Sequence, residues 1–171
     1  KINFEFISKL SFDDILNKHA TLNDLVISFS SPFIIKEDVL DKSTFINFHP
    51  GILPKYRGSL STVWSMLNNE DYAGGTWHYI ESKVDTGNIL NQYKIPITPT
   101  ATAFSLNHQI FSKGIFEIGN VLELIKNSYV GIKQKGDSKF YYNKFPDLLK
   151  ESRFNDNLIK RIKFFPPSFT K

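Results

Sequence analysis

The chain has 171 residues, 41% hydrophobic and 22% charged, an ordinary balance for a globular protein and enough length for one domain with a core rich in its 16 Phe. It contains no Cys, which excludes disulfides, thiol nucleophiles and thiolate-held metals and fits a cytoplasmic location. Its net charge of +4 comes without a dense basic cluster before Lys160, Arg161 and Lys163. A Lys-rich surface is therefore expected rather than a nucleic-acid stripe, and no apolar run is long enough to span a membrane.

In chain order, residues 2–7 alternate as a strand, and residues 12–19 read as a short helix with Ser11 at its N-cap. The apolar run of residues 24–29 has the length and composition of a buried parallel strand. Ser30, Ser31 and Pro32 break it, and residues 36–40 form a helical turn. A strand follows over residues 44–49. After Gly58, the spacing of Leu60, Val63, Trp64 and Leu67 predicts a helix with one buried stripe. Residues 71–75 read as a turn and 76–80 as a strand. After a loop, another strand covers residues 89–97. Residues 102–126 form one long helix, with Gly114 or Gly119 as places for a bend. From Tyr129 onward the chain is polar and aromatic, with short elements. The expected layout is a domain over residues 1–128 and an irregular C-terminal extension, 129–171, packed on it. Strands alternating with helices in the first half imply an α/β fold with a Rossmann-like parallel or mixed sheet.

The chemistry concentrates where the strand at 44–49 ends. Asn47 and His49 sit at i and i+2 and share one face, while Ile46 and Phe48 point into apolar packing. Pro50, Gly51, Pro54 and Gly58 then turn the chain. An amide donor beside an imidazole at the carboxyl end of a strand suits acyl transfer: one polarises a carbonyl and the other moves a proton. Asp85, in the loop Val84-Asp85-Thr86-Gly87-Asn88, is the carboxylate such a site uses, although Asp-Thr-Gly is also ordinary turn chemistry. His78 could line the same cleft, but reads more simply as a half-buried strand residue. His19 and His108 look like helix surface. The His spacing gives no metal site. No Gly-x-Gly-x-x-Gly, phosphate loop or Gly-x-Ser-x-Gly occurs.

The set Asn47-x-His49-Pro50-Gly51-x-Leu53-Pro54-x-Tyr56-Arg57-Gly58, followed by Asp85-Thr86-Gly87-x-Ile89-Leu90, resembles the formyltransferases that use 10-formyltetrahydrofolate. The resemblance runs from about Asp24 to Ile97. It implies the formyltransferase fold, with Asn47, His49 and Asp85 as the catalytic set and 10-formyltetrahydrofolate as cosubstrate. It also implies a pterin site between the loop at 30–35 and the loop before Asp85, with Phe33, Ile34, Lys83 and Val84 lining it. The tail Arg161-Ile162-Lys163-Phe164-Phe165-Pro166-Pro167 is similar to the close of the nucleotide-sugar N-formyltransferases, which implies a nucleotide-linked amino sugar as acceptor. Lys55, Arg57, Tyr141 and Tyr142 are the residues expected to bind it. The alternatives are a methionyl-tRNA-type or other amine formyltransferase and, in another class, an inactive remnant that binds folate or a partner. No nucleic acid, metal or membrane partner is expected, and a homodimer is kept open. The family opens with a strand, a Gly-containing turn and a helix. Only 46 residues precede Asn47, which leaves open a trimmed start, residues not shown by the numbering, or a short variant of the fold without that first strand–helix unit.

Overall fold

A computed structural model describes residues 24–141 except Pro32, together with Asp14, Leu16, Asn17, Asn157, Arg161 and Ile162. The expected strand at 2–7, most of the helix at 12–19, Tyr142 and most of the C-terminal tail lie outside the described residues.

The apolar run at 24–29 forms strand β1 (Leu25–Phe29), and the next run forms β2 (Thr44–His49), with the short helix α1 (Glu37–Leu40) between them. These two strands pair in parallel, Leu25 opposite Thr44 through Phe29 opposite Phe48. Beyond them the sheet turns antiparallel. β4 (Tyr72–Tyr79) pairs with β2, and β5 (Ile89–Pro96) pairs with β4, giving the order β1-β2-β4-β5. Of the parallel or mixed sheet expected, the mixed form is found, with only the first pair parallel. A loop rather than a helix joins β4 to β5, so the chain doubles back and the sheet is mixed.

β4 also begins earlier than its sequence suggests. Residues 71–75 read as a turn because of Gly74 and Gly75, yet the ladder runs through both. A Cβ at Gly74 would lie 2.0 Å from the Tyr93 carbonyl oxygen, and one at Gly75 would lie 2.7 Å from the Phe48 ring. Here glycine marks close approach of neighbouring groups rather than a break.

The core lies between this sheet and two helices, α2 (Ser61–Leu67) and α3 (Ala103–Lys126). α3 opens with a capping box: the Ser105 N–H donates to Thr102 Oγ1 at 3.0 Å, and the Thr102 N–H donates to Ser105 Oγ at 3.0 Å. Phe48 is fully buried, with its ring 4.7 Å from Phe29, 5.3 Å from Trp77 and 5.5 Å from Phe111. Gly114, read from sequence as a place to bend, is where α3 meets that ring. A Cβ there would come within 2.6 Å of Phe48, and the Gly114 carbonyl accepts from Trp77 Nε1 at 3.1 Å.

A second, two-stranded sheet joins β3 (Tyr56–Gly58) in parallel to β6 (Lys139–Tyr141). It stands beside the carboxyl end of β2 and brings residues from beyond position 129 alongside the turn after His49.

Candidate active site

The sheet register builds the site. Asn47 in β2 lies opposite Ser28 in β1 and opposite His78 in β4. Partners across a sheet project from the same face, so Ser28, Asn47 and His78 form a polar row across three strands. Ser28 Oγ donates to Asn47 Oδ1 at 2.7 Å, and the Ser30 N–H donates to the same oxygen at 3.3 Å. These two bonds fix which way the amide points. Asn47 Nδ2 lies 3.3 Å from His78 Nε2. His78 Nδ1 sits 2.6 Å from the Tyr79 carbonyl and so carries a hydrogen. Asn47 Nδ2 and Asp85 Oδ1 both reach His78 Nε2, which accepts from the amide when it carries a lone pair and donates to the carboxylate when it carries a hydrogen. Among the described residues no other acceptor faces Asn47 Nδ2, so an N–H of the amide remains for a group in the cleft.

His49 is two residues further along the same face of β2, and 4% exposed. Its Nε2 is 2.6 Å from the Tyr56 carbonyl and 3.1 Å from Ser61 Oγ. The carbonyl can only accept, so Nε2 bears the hydrogen and Nδ1 of the neutral ring bears the lone pair. Nδ1 faces Asp85 Oδ2 at 3.4 Å. Thr76 holds the intervening turn: its Oγ1 donates to the Gly51 carbonyl at 2.6 Å and accepts from the Leu53 N–H at 3.3 Å.

Asp85 has a φ of 54°, the left-handed region that costs a non-glycine residue about 1–2 kcal/mol. That conformation turns its carboxylate between the two imidazoles. Oδ1 lies 3.5 Å from His78 Nε2, and Oδ2 accepts from the Gly58 N–H at 2.8 Å. Burial depresses the His49 pKa below its ordinary value, and the Asp85 charge only partly opposes this. For Asp85, burial alone would raise the pKa. The contacts with His78 and His49 and the Gly58 N–H outweigh it, and the carboxyl lies below its ordinary range. The resting pair at neutral pH is therefore a neutral His49 facing an anionic Asp85. Such a pair can take a proton on Nδ1 and stabilise the imidazolium that results.

The three residues open onto one cleft of about 600 Å³, within the usual size of a small-molecule site. Phe33, Ile34, Lys83 and Val84 line the same cleft. Of the four residues expected to bind an acceptor, Tyr142 lies outside the described residues and the other three are placed differently. Lys55 is paired with Glu70 at 2.6 Å, and Arg57 donates to Gln134 and Ser138. Tyr141 is 6% exposed, its ring 5.4 Å from that of Tyr56 and 4.4 Å from that of Trp64. Lys55 and Tyr141 border a separate recess with Asn68 and Glu70. Phe140, on the other face of β6 and 49% exposed, is the aromatic residue of that strand that lines the cleft beside Gly58 and Asp85. Sequence reasoning passed over Phe140 and gave His78 the lesser reading. The available signal for His78 was its parity with Thr76 on β4, which acquires meaning only once the register against β2 is known.

Comparisons with known proteins identify the family. A family model described as formyl transferase matches residues 13–115. The GDP-perosamine N-formyltransferase of Brucella melitensis is 31% identical over 150 residues, 84% of this chain and 58% of that protein. The methionyl-tRNA formyltransferase of Borreliella afzelii is 34% identical over 158 residues, 90% of this chain and 49% of that protein. The crystal structure of an N-formyltransferase from Helicobacter canadensis, in complex with folinic acid and dTDP-3-aminofucose, superposes with a TM-score of 0.62 at 32% identity, covering 67% of this chain and 44% of that one. The chain thus spans about half the length of the relatives it matches. With that match and a mixed sheet that carries Asn47, His49 and Asp85 into one cleft, the chain belongs to the formyl transferase family.

Proposed function

We propose that this chain forms the catalytic part of an N-formyltransferase that moves the formyl group of 10-formyltetrahydrofolate to the amine of a nucleotide-linked amino sugar. The observation that carries this reading is the fixed orientation of three groups at one end of the cleft: the free Asn47 N–H, the His49 Nδ1 lone pair and the Asp85 carboxylate.

In this reading the acceptor amine attacks the formyl carbon. A new C–N bond forms as the carbonyl oxygen takes up negative charge, and Asn47 Nδ2 donates to that oxygen more strongly as the charge grows. His49 Nδ1 accepts the proton that the amine sheds, with Asp85 stabilising the imidazolium. The bond from the formyl carbon to N10 then breaks, and His49 returns the proton to N10. The products are a formamide and tetrahydrofolate, and no oxidant or metal enters the balance. The cleft suits the donor: Ser30, Ser31, Glu81 and Ser82 line it as polar residues beside Ile35, Ile80 and Val84. Phe140 offers a flat apolar face on the acceptor side, next to Gly58.

Likeness to a nucleotide-sugar enzyme and to a structure solved with a dTDP-linked amino sugar supports the acceptor class. Likeness to the methionyl-tRNA enzymes favours a second reading, formylation of methionyl-tRNA. The test incubates the whole protein with 10-formyltetrahydrofolate and either a panel of GDP-, UDP- and dTDP-linked amino sugars or initiator methionyl-tRNA. Tetrahydrofolate release and the product mass are followed. Formylation of at least one amino sugar with methionyl-tRNA inert is expected. Formylation of the tRNA alone promotes the second reading, and no transfer to either refutes the assignment.

A further inference from the structure

We propose that Gln134 is a positioning residue for the catalytic loop, locking the backbone around Asp85 while Arg57 locks the Gln134 amide. The inference rests on the reading of Asp85 as the ionic partner of His49. Gln134 is not among the residues that touch the reacting groups, and it acts through Asp85.

The loop from Ile80 to Asn88 belongs to no strand or helix, yet it must hold Asp85 at a φ of 54°, a left-handed conformation that Asp tolerates better than most residues but still at a cost. Its anchors come from outside. Gln134 Nε2 donates to the Asp85 carbonyl at 2.9 Å and to the Gly87 carbonyl at 2.8 Å. Both amide hydrogens are thereby used, one on each side of Thr86. Gln134 Oε1 accepts from Arg57 Nη2 at 2.7 Å and from Arg57 Nε at 3.3 Å, and Arg57 Nη1 donates to Ser138 Oγ at 3.3 Å. The orientation of the amide is unambiguous. Reversed, it would set its oxygen against two carbonyls and its hydrogens against a guanidinium.

Gln134 is delivered to this place by the bridge two residues earlier, where Ile89 and Ile132 exchange both of their backbone bonds at 2.8 Å. The result is a grip from two consecutive residues of β3. The Gly58 N–H holds the Asp85 carboxylate, and Arg57 holds the Asp85 carbonyl through Gln134. Arg57, expected from the sequence to bind the acceptor, thereby has an internal task as well.

Two variants of the whole protein test the clamp. Gln134→Met keeps side-chain length and removes every bond. Gln134→Glu keeps an acceptor for Arg57 and removes both donors. Three readouts are compared with wild type: amide hydrogen exchange across residues 83–88, the NMR titration of His49, and kcat and KM on the acceptor. The groups facing His49 in that titration are Asp85 and His78, with the neutral Tyr56 carbonyl and Ser61 hydroxyl on the far side. At least tenfold faster exchange in the loop is expected, with a His49 titration moved to lower pH as the carboxylate swings away. A fall in kcat of tenfold or more is expected, with acceptor KM changed less than threefold. Wild-type exchange together with a wild-type His49 titration overturns the clamp. So does loss of the fold in both variants, since Gln134 would then serve the whole molecule. Exchange and titration need no turnover, so they judge the clamp even if the wild type formylates nothing, a result that would sink only the proposed function.

Discussion

Replacing Asp85 by Asn isolates the charge of the site from its shape. The Asn side chain is isosteric, and its Oδ1 can still accept from the Gly58 N–H that now lies 2.8 Å from Asp85 Oδ2. What it loses is attraction for a protonated His49. At the observed 3.4 Å and an effective dielectric of about 20, that attraction is about 5 kcal/mol. The amide dipole replaces part of it, so the loss falls between about half and all. A penalty of about 2.5–5 kcal/mol on the step that protonates His49 slows it by about 70- to 5,000-fold. The assay is single-turnover formyl transfer at saturating donor across a pH series, with circular dichroism confirming the fold. The pH profile carries a second signature. Burial already depresses the His49 pKa, and Asp85 is what raises it. In Asp85→Asn the acidic limb of kcat/KM therefore moves to lower pH. A variant within tenfold of wild type, with an unmoved acidic limb, would show that Asp85 does not act through His49.

Two further outcomes follow from the same geometry. Gly51→Ala places a Cβ 2.5 Å from His49 Nε2 and 2.7 Å from Ser61 Cβ. It should cost about 1–3 kcal/mol in a urea melt and at least tenfold in kcat, and wild-type turnover would mean the imidazole can shift without penalty. Stability should also fall with acidity in two stages, because both His49 and Asp85 have depressed pKa values in the folded chain. Each binds its proton more readily when unfolded, so their contributions are complete above 6.5 and 3.8 respectively and are lost as pH falls through the folded values. Urea midpoints measured against pH should show this, and His49→Gln should flatten the upper stage.

Much of this site is written in local patterns. The strand at 44–49 ends where Pro50 and Gly51 follow it, which fixes the parity of Asn47 and His49 before any coordinates exist. The apolar positions across residues 102–126 announce the long helix α3. What stays hidden depends on pairs of residues far apart. Whether His78 shares a face with Asn47 depends on strand register, and the same spacing is equally compatible with a packed histidine. Gly74, Gly75 and Gly114 look like punctuation, yet they admit Tyr93 and Phe48 from elsewhere in the chain. The face chosen by Phe140 rather than Tyr141 follows from how β6 pairs with β3. Gln134 sits among lysines and a glycine with no local mark, and its contact with Arg57 spans 77 positions.

That β3–β6 pairing separates the protein into parts of unequal durability. The aromatic cluster around Phe48 is buried in the four-stranded sheet, whereas the second sheet has only three residues in each strand and joins that core through Tyr56 and Tyr141 alone. A two-stranded ribbon is marginal by itself, and segments of this kind open at a lower free energy than the core beneath them. Opening it would remove Phe140 and loosen the Gly58 and Arg57 grip on the loop while β1, β2, β4 and β5 stay folded. In a denaturant titration of a Trp64→Phe variant, which leaves Trp77 as the reporter of the core, catalytic competence would then vanish before the fluorescence changes, and melting temperature would be a poor guide to how much of a preparation is active.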